Sequence, residues 1–320
     1  MIKKSSIRAW SRLGQRGSVF GVKFPELAKE LDHLKLITAD LSLLSGMERF
    51  IRDYPEKFLN VGIAEQNMIG IAAGLSMEGY TVFATTYASF IAVRSLEHIR
   101  QHLAHMKCNV KLIGSSAGVV AAKSGISHWA TEDIAFLRAL PNMMVFSPSD
   151  CLEAMKIVEY AAKTEGPMYI RLSGGLDCKP VFYEDFDFIP GRNVVLREGK
   201  DVAILATGLM VKEALQAAEI LSDKNISAEV INVSTIKPLD EQNLSELCGR
   251  FNVVCTVEEH NIIGGLGGAV AEYLSGMEQS PRLIRFGIHD CYMKAGSQRF
   301  IWDNAGLTAE KLAIQIQGTL

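Results

Sequence analysis

Nothing in this sequence arranges cysteine for zinc or for a redox couple. Cys108, Cys151, Cys178, Cys248, Cys255 and Cys291 are scattered, with no CxxC and no pairing with histidine at zinc spacing. That usage points to a reducing, cytoplasmic compartment without structural zinc. Long apolar runs are also missing, since none approaches the roughly 18 residues that a membrane helix needs. No one sign of charge dominates, because the net charge is −3 with 22% of residues charged. Neither nucleic acid nor an anionic membrane is therefore expected as a partner. What the chain does have is 320 residues, 48% of them hydrophobic, enough for two domains with a core each.

A second absence is local. No acidic residue precedes Glu26, while Lys3, Lys4, Arg8, Arg12, Arg16 and Lys23 are basic. The segment 1–22 reads as a basic arm, either on the surface or packed on another chain, with a mitochondrial transit peptide as the alternative.

Beyond the arm, strand-like and helix-like segments alternate in two blocks, the pattern of an α/β protein with mainly parallel sheets flanked by helices. In residues 23–173, "LKLITAD" reads as a buried strand ending at Asp40, and a helix is expected from Glu65 to Met77. "TVFATT", "NVKLIGSS", "MMVFSPS" and "PMYIRLS" read as further strands, and "SFIAVRSLEHIRQHLAHM" as a helix. A polar stretch with Gly and Pro, 174–192, reads as a linker. A second domain, 193–320, restarts with "DVAILATG" and includes "AEVINVSTI" as one strand.

Several motifs invite a functional reading that the residues only weakly support. "GGLGGA" at Gly264–Ala269 opens a helix, where phosphate can bind. Its spacing is neither GxGxxG nor a Walker loop, so tight helix packing explains it as well. His98, His102 and His105 share one helix face, yet without further ligands they read as a solvated or interface face rather than a metal site. Glu65 is less easily dismissed, because it stands in "NVGIAEQNMIGIAAGL" among Ile63, Ala64, Met68, Ile69 and Ile71. It either meets a helix dipole in the first turn or is a carboxyl held for chemistry. Apolar surroundings raise a carboxyl pKa and the dipole lowers it, so the residues alone leave both readings open.

"FLNVGIAEQNMIGIAAGL", "TTYASFIAVRSLEHIR", "TEDIAFLRALPNMMVFSPSD" and "GPMYIRLS" resemble the pyrimidine-binding domain of transketolases and deoxyxylulose-phosphate synthases. "TIKPLD" and "VEEHNIIGGLGGAVAE" resemble the C-terminal domain that follows it in those enzymes. The resemblance runs from about Lys23 to the C-terminus and implies thiamine diphosphate as cofactor. It assigns Glu65 the carboxyl that hydrogen-bonds the aminopyrimidine ring nitrogen and favours the imino tautomer, the base for the thiazolium C2 proton. Apolar neighbours would keep that carboxyl protonated. Phe90 would stack on the pyrimidine, Tyr87, one helical turn away, would line the same pocket, and Asp40 would lie near the cofactor. His128, in "SGISHWATED", corresponds to the family's THQ histidine, which contacts a donor-substrate oxygen.

The family's magnesium and diphosphate are held by a domain carrying GDG, and this chain contains no GDG. The resemblance therefore implies the C-terminal subunit of a split enzyme, completed in an α2β2 assembly by an N-terminal subunit that supplies Mg2+ and diphosphate contacts. The small-residue face of the Gly70–Gly74 helix is the candidate for like-subunit contact. The substrate half of the pattern departs from the family's GEDG-x-THQ. Ser124 replaces the acidic residue for sugar hydroxyls, Ser116 an upstream histidine, and Trp129 the glutamine, while Gly174 stands where an arginine grips the substrate phosphate. A glycine cannot reproduce a bidentate arginine contact, so the expected substrate is not an ordinary sugar phosphate. Arg171 or Lys123 would bind an anion from a new direction, and Trp129 would stack on substrate or pack in the core. The expected activity is ketol or acyl transfer between carbonyl compounds. The alternatives are the β subunit of a 2-oxo acid dehydrogenase and a non-catalytic assembly subunit.

Overall fold

The computed structural model describes residues 2–320, and of Leu44 the backbone alone. Its strands in chain order are β1 (Leu34–Thr38), β2 (Phe58–Asn60), β3 (Thr81–Tyr87), β4 (Val110–Ser115), β5 (Met144–Phe146), β6 (Met168–Leu172), β7 (Val194–Arg197), β8 (Val202–Ala206), β9 (Ala228–Asn232), β10 (Thr235–Lys237), β11 (Val253–Asn261) and β12 (Arg282–Ile288). They form a seven-stranded sheet of order β10-β5-β6-β4-β3-β1-β2 and a five-stranded sheet of order β12-β11-β8-β9-β7. All pairings are parallel except β10 with β5 and β7 with β9. Strands β4, β6, β8 and β9 are buried along their whole length; of these only β8 is apolar throughout, and the others bury Lys111, Arg171 and Glu229 against partners.

The two halves interlock more than a linker between domains suggests. The expected single strand "AEVINVSTI" is split. β9 stays in the second sheet, while β10 crosses to the first and caps β5. A cis peptide joins Lys237 to Pro238 directly after it. One hydrophobic cluster contains Ile37 and Met68 together with Ile231 and Leu266, so the halves share a core. The segment 174–192 is pinned as well. Asp150, at the start of helix Cys151–Ala162, accepts from the N–H groups of Val181 and Phe182 at 2.8 and 2.9 Å.

The basic arm needs correction. Lys4–Ser18 is a helix kinked at Gly14, which continues through a wider π-type turn, Val19–Lys23, into helix Phe24–Glu30. It packs on its own chain, with Ile7, Val19 and Phe20 buried. Two of its positive charges meet acids elsewhere in the same chain: Lys4 pairs with Glu184 at 3.0 Å and Lys23 with Glu159 at 3.1 Å.

Among the described residues no helix is long and apolar enough to cross a membrane. Order along the first sheet reverses between β1 and β3, since the chain runs outward to β2 and then returns across β1. In open parallel sheets, ligands bind outside the carboxyl ends of strands at such a reversal. Asp40 follows the end of β1, Glu65 that of β2 and Phe90 that of β3, which Tyr87 closes.

Candidate active site

The site begins with a staple between strand ends. Asn60, closing β2, donates from its amide to Asp40 Oδ1 at 3.0 Å, and its Oδ1 accepts from the Asp40 and Gly62 N–H groups at 3.1 and 2.9 Å. Asp40 holds a left-handed conformation, φ 58°, which Asp and Asn tolerate better than other side chains. Sequence reasoning missed Asn60, although an Asn two residues before a Gly is itself a turn signal.

From Gly62 the chain enters helix Glu65–Met77, the bounds expected from the sequence. Glu65 takes the first helical position, and its side chain is 8% exposed. Its surroundings differ from those expected. Met68 and Ile69 are buried, but Ile63 is 76% exposed and Ile71 only half-buried. The nearest polar neighbour is Arg94, whose Nη1 donates to Glu65 Oε1 at 3.0 Å. The same guanidinium lies over the Phe90 ring, 3.7 Å from its centroid. Arg94 ends a π-type turn, Phe90–Arg94, whose larger number of residues per turn puts residues four apart nearly in line. Gln66 secures it by donating to the Arg94 carbonyl at 3.0 Å. An arginine four residues after Phe90, in a segment otherwise apolar up to that point, was the available signal.

Tyr87 is the last residue of β3, not part of the Phe90 helix. It still lines the same place, because Tyr87, Phe90 and His128 form a three-ring cluster with centroids 5.3–5.4 Å apart. His128 is delivered by a loop pinched at its base, where Gly118 and Ala130 exchange backbone hydrogen bonds at 2.9 Å. Gly118 has φ +67° and leaves space that the Glu259 carboxylate fills. His128 Nδ1 lies 3.0 Å from Ser127 Oγ.

Of the candidate substrate residues, Arg171 and Trp129 are buried away from this face. Arg171 is buried, and its Nε donates to Asp133 Oδ2 at 2.9 Å while its Nη2 donates to the Ala130 and Glu259 carbonyls at 3.0 and 2.9 Å. Burial opposes its charge, but Asp133 and Glu259 hold the pKa above the ordinary arginine value. Tyr169 completes the knot by donating to Asp133 Oδ2 at 2.6 Å. Arg171 therefore ties the seam between the halves and does not face a substrate. Trp129 is likewise buried in the cluster with Val119 and Leu152, so core packing, not stacking on substrate, is its role. Ser116 is buried just after β4, and Ser124 and Lys123 are exposed on a single turn of the His128 loop. At "GGLGGA" the helix N-terminus is filled from within: Glu258 accepts from Leu266 and Gly267 N–H at 2.7 and 2.8 Å.

Glu65, Phe90, Tyr87 and His128 thus converge on an open face, rimmed by exposed Ile63, Val93 and Ile126. Two family models match this chain: the transketolase pyrimidine-binding domain over residues 17–176 and the transketolase C-terminal domain over 191–312. A Methanocaldococcus jannaschii protein named as a transketolase C-terminal section is 39% identical over 99% of this chain and 98% of its own. A 6-deoxy-6-sulfo-D-fructose transketolase subunit from a Clostridium species is 38% identical, covering 90% of this chain and 88% of its own. Among solved structures, a split-gene transketolase described as an inactive beta4 tetramer superposes with TM-score 0.85 and 41% identity, over 95% of this chain and 97% of that one. Transketolase from Campylobacter jejuni shares the fold, with TM-score 0.76 at 19% identity, and this chain covers 46% of it. Both domain models in their family order, and relatives matched over nearly their whole length, make the chain a member of the transketolase family: the C-terminal subunit of a split, two-subunit transferase.

Proposed function

We propose that this subunit takes part in thiamine-diphosphate-dependent transfer of a ketol or acyl unit between carbonyl compounds, on a substrate other than an ordinary sugar phosphate. One observation carries the cofactor assignment. A planar, N–H-bearing group, the Arg94 guanidinium, already lies on the Phe90 face while donating to Glu65. An aminopyrimidine asks for the same two contacts, an aromatic face and a carboxyl at its edge, so the residues present fit the group. Glu65 would hold the ring nitrogen, Phe90 its face, and Tyr87 and His128 the side toward substrate, with Asp40 close by. When bound, the cofactor supplies the carbanion chemistry that breaks and forms carbon–carbon bonds. Glu65 contributes a hydrogen bond and a proton at that ring nitrogen. His128, with Nδ1 engaged by Ser127, offers its other nitrogen to a substrate oxygen.

The open face supports completion by an N-terminal partner that contributes Mg2+ and diphosphate contacts in a cytoplasmic α2β2 assembly. Gly70 and Gly74, with nothing within 4 Å of where a Cβ would stand, suit the like-subunit contact. Ser116, Ser124 and Gly174 support an altered substrate. Relatives named for 6-deoxy-6-sulfo-D-fructose and for apulose 4-phosphate point the same way. The test is calorimetric titration of thiamine diphosphate with Mg2+ into this chain alone and into its mixture with the N-terminal partner. Binding only in the mixture, lost in Glu65→Gln, is the expected result. No binding with the partner present overturns the reading, and tight binding by this chain alone overturns the shared site.

A further inference from the structure

His128 is fixed through both its ring and its backbone. The ring meets Tyr87 edge-on and Phe90 at a tilt, each with centroids 5.3 Å apart. Its backbone N–H donates to the Gly125 carbonyl at 3.0 Å, as does that of the buried Trp129 at 3.3 Å. Its carbonyl accepts from Ser89 Oγ at 3.4 Å. Of the two ring nitrogens, Nδ1 lies 3.0 Å from Ser127 Oγ, and among the described residues no hydrogen bond reaches Nε2.

The Ser127 hydroxyl has a second neighbour in the same loop, because it donates to the Ser124 carbonyl at 3.3 Å. A hydroxyl has one proton and two lone pairs. Were Nδ1 bare, that proton would be divided between Nδ1 and the Ser124 carbonyl, and one acceptor would go unmet. With a proton on Nδ1, the ring donates to Ser127 Oγ and Ser127 donates onward to Ser124. Both contacts are then made, and two bonds in series polarise each other. In a neutral imidazole the bond at one nitrogen fixes the state of the other, so Nε2 keeps its lone pair. Ser124 thereby enters the site through its main-chain carbonyl, where the resemblance expects an acidic side chain.

We propose that Ser127 is a positioning residue: its hydroxyl, donating to the Ser124 carbonyl, holds His128 with the proton on Nδ1 and presents Nε2 to substrate as an acceptor. An acceptor nitrogen takes a hydrogen bond from a hydroxyl, whereas an ionised carboxylate or phosphate oxygen has none to give. That Nε2 faces substrate rests on the functional reading above; the contact between Ser127 and His128 does not.

The test uses the reconstituted two-subunit complex, with the histidines of this chain alone isotope-labelled at both ring nitrogens. Solid-state nitrogen NMR is recorded at about pH 8.5, above the ordinary imidazole range. The chain has seven histidines, and His128 is the signal lost in His128→Gln. In the parent the protonated nitrogen should be Nδ1 and the bare one Nε2. Ser127→Ala should lower the ratio of the Nδ1–H to the Nε2–H form about 2- to 10-fold, the worth of one hydrogen bond. Ser127→Thr keeps the hydroxyl and should keep the ratio. With erythrulose as donor and glyceraldehyde as acceptor, kcat should fall by the same factor in Ser127→Ala and be restored in Ser127→Thr. A side chain that merely packs would leave the ratio unmoved. A parent with its proton on Nε2, an equal ratio in Ser127→Ala, or a changed ratio with unchanged kcat overturns the proposal. A parent complex that neither binds thiamine diphosphate nor turns over erythrulose overturns the functional reading instead, and the spectra still decide what Ser127 does to His128.

Discussion

Arg171 and Arg94 lie in the same half of the molecule and are used in opposite ways. Arg171 sits in the seam between the halves with its side chain 2% exposed, donating to a carboxylate and to main-chain carbonyls on both sides. Arg94 stands on the open face with its side chain 49% exposed, touching one carboxylate oxygen and one aromatic ring. In the seam the Arg171 guanidinium is held by a carboxylate and by carbonyls from both halves, as a group that must not move requires. On the open face Arg94 is only partly committed, so another planar group can take its place at modest cost. Charge therefore does not mark function by itself; how far each guanidinium is committed to internal partners separates the two.

The comparison can be broken at either end. The largest expected effect is in the seam. Arg171→Leu leaves Asp133 buried without its cation and should cost about 3–5 kcal/mol, read as a lower urea midpoint with an unchanged slope. Next comes Glu65→Gln, which should lower kcat of the complex at least about 100-fold while leaving the unfolding midpoint nearly unchanged. Equal turnover would move this face to an assembly role.

The seam also carries a pH dependence. Burial raises the pKa of Glu153 from 4.5 to about 7. Its carboxyl accepts from Ser149 N–H and hydroxyl and from Asn232 across the halves, each at 2.7 Å. A carboxyl whose folded pKa is raised contributes stability that is full below the unfolded value and is lost as pH rises through the folded one. Its contribution should thus decline between pH 4.5 and about 7, by at most about 1.4 kcal/mol per pH unit. Glu153→Gln should flatten that part of the stability profile. The smallest effect belongs to Arg94→Ala. Removing the resident guanidinium should tighten thiamine diphosphate binding about fivefold, the scale of a half-exposed ion pair and cation–π contact, by calorimetry. Weaker binding would make Arg94 a cofactor contact instead.

Much of this was legible because local physics agrees with the final structure. Helix Glu65–Met77 and the strands β1 and β3 were readable, since buried parallel strands are rich in apolar residues and small residues mark a close-packed helix, although Tyr87 closes β3 where a helical turn was expected. Glu258 could not be matched to its helix N-terminus in advance, because the acceptor lies in the preceding strand. The split of "AEVINVSTI" was hidden too. Both pieces have strand character, and only the free edge at β5 decides that β10 joins the other sheet.

What the sequence by itself determined is the chemistry on offer: a carboxyl at a helix start, an aromatic cluster, a histidine loop, and glycines where backbones meet. These are set by residue type and by spacings of a few positions. Only the tertiary structure decided which arginine does what. Arg94 and Arg171 are interchangeable as letters, but the first is turned onto Phe90 by a widened helical turn, and the second is closed into the seam by Asp133 and Tyr169. A guanidinium's role depends on the partners within reach, and reach is a property of the fold.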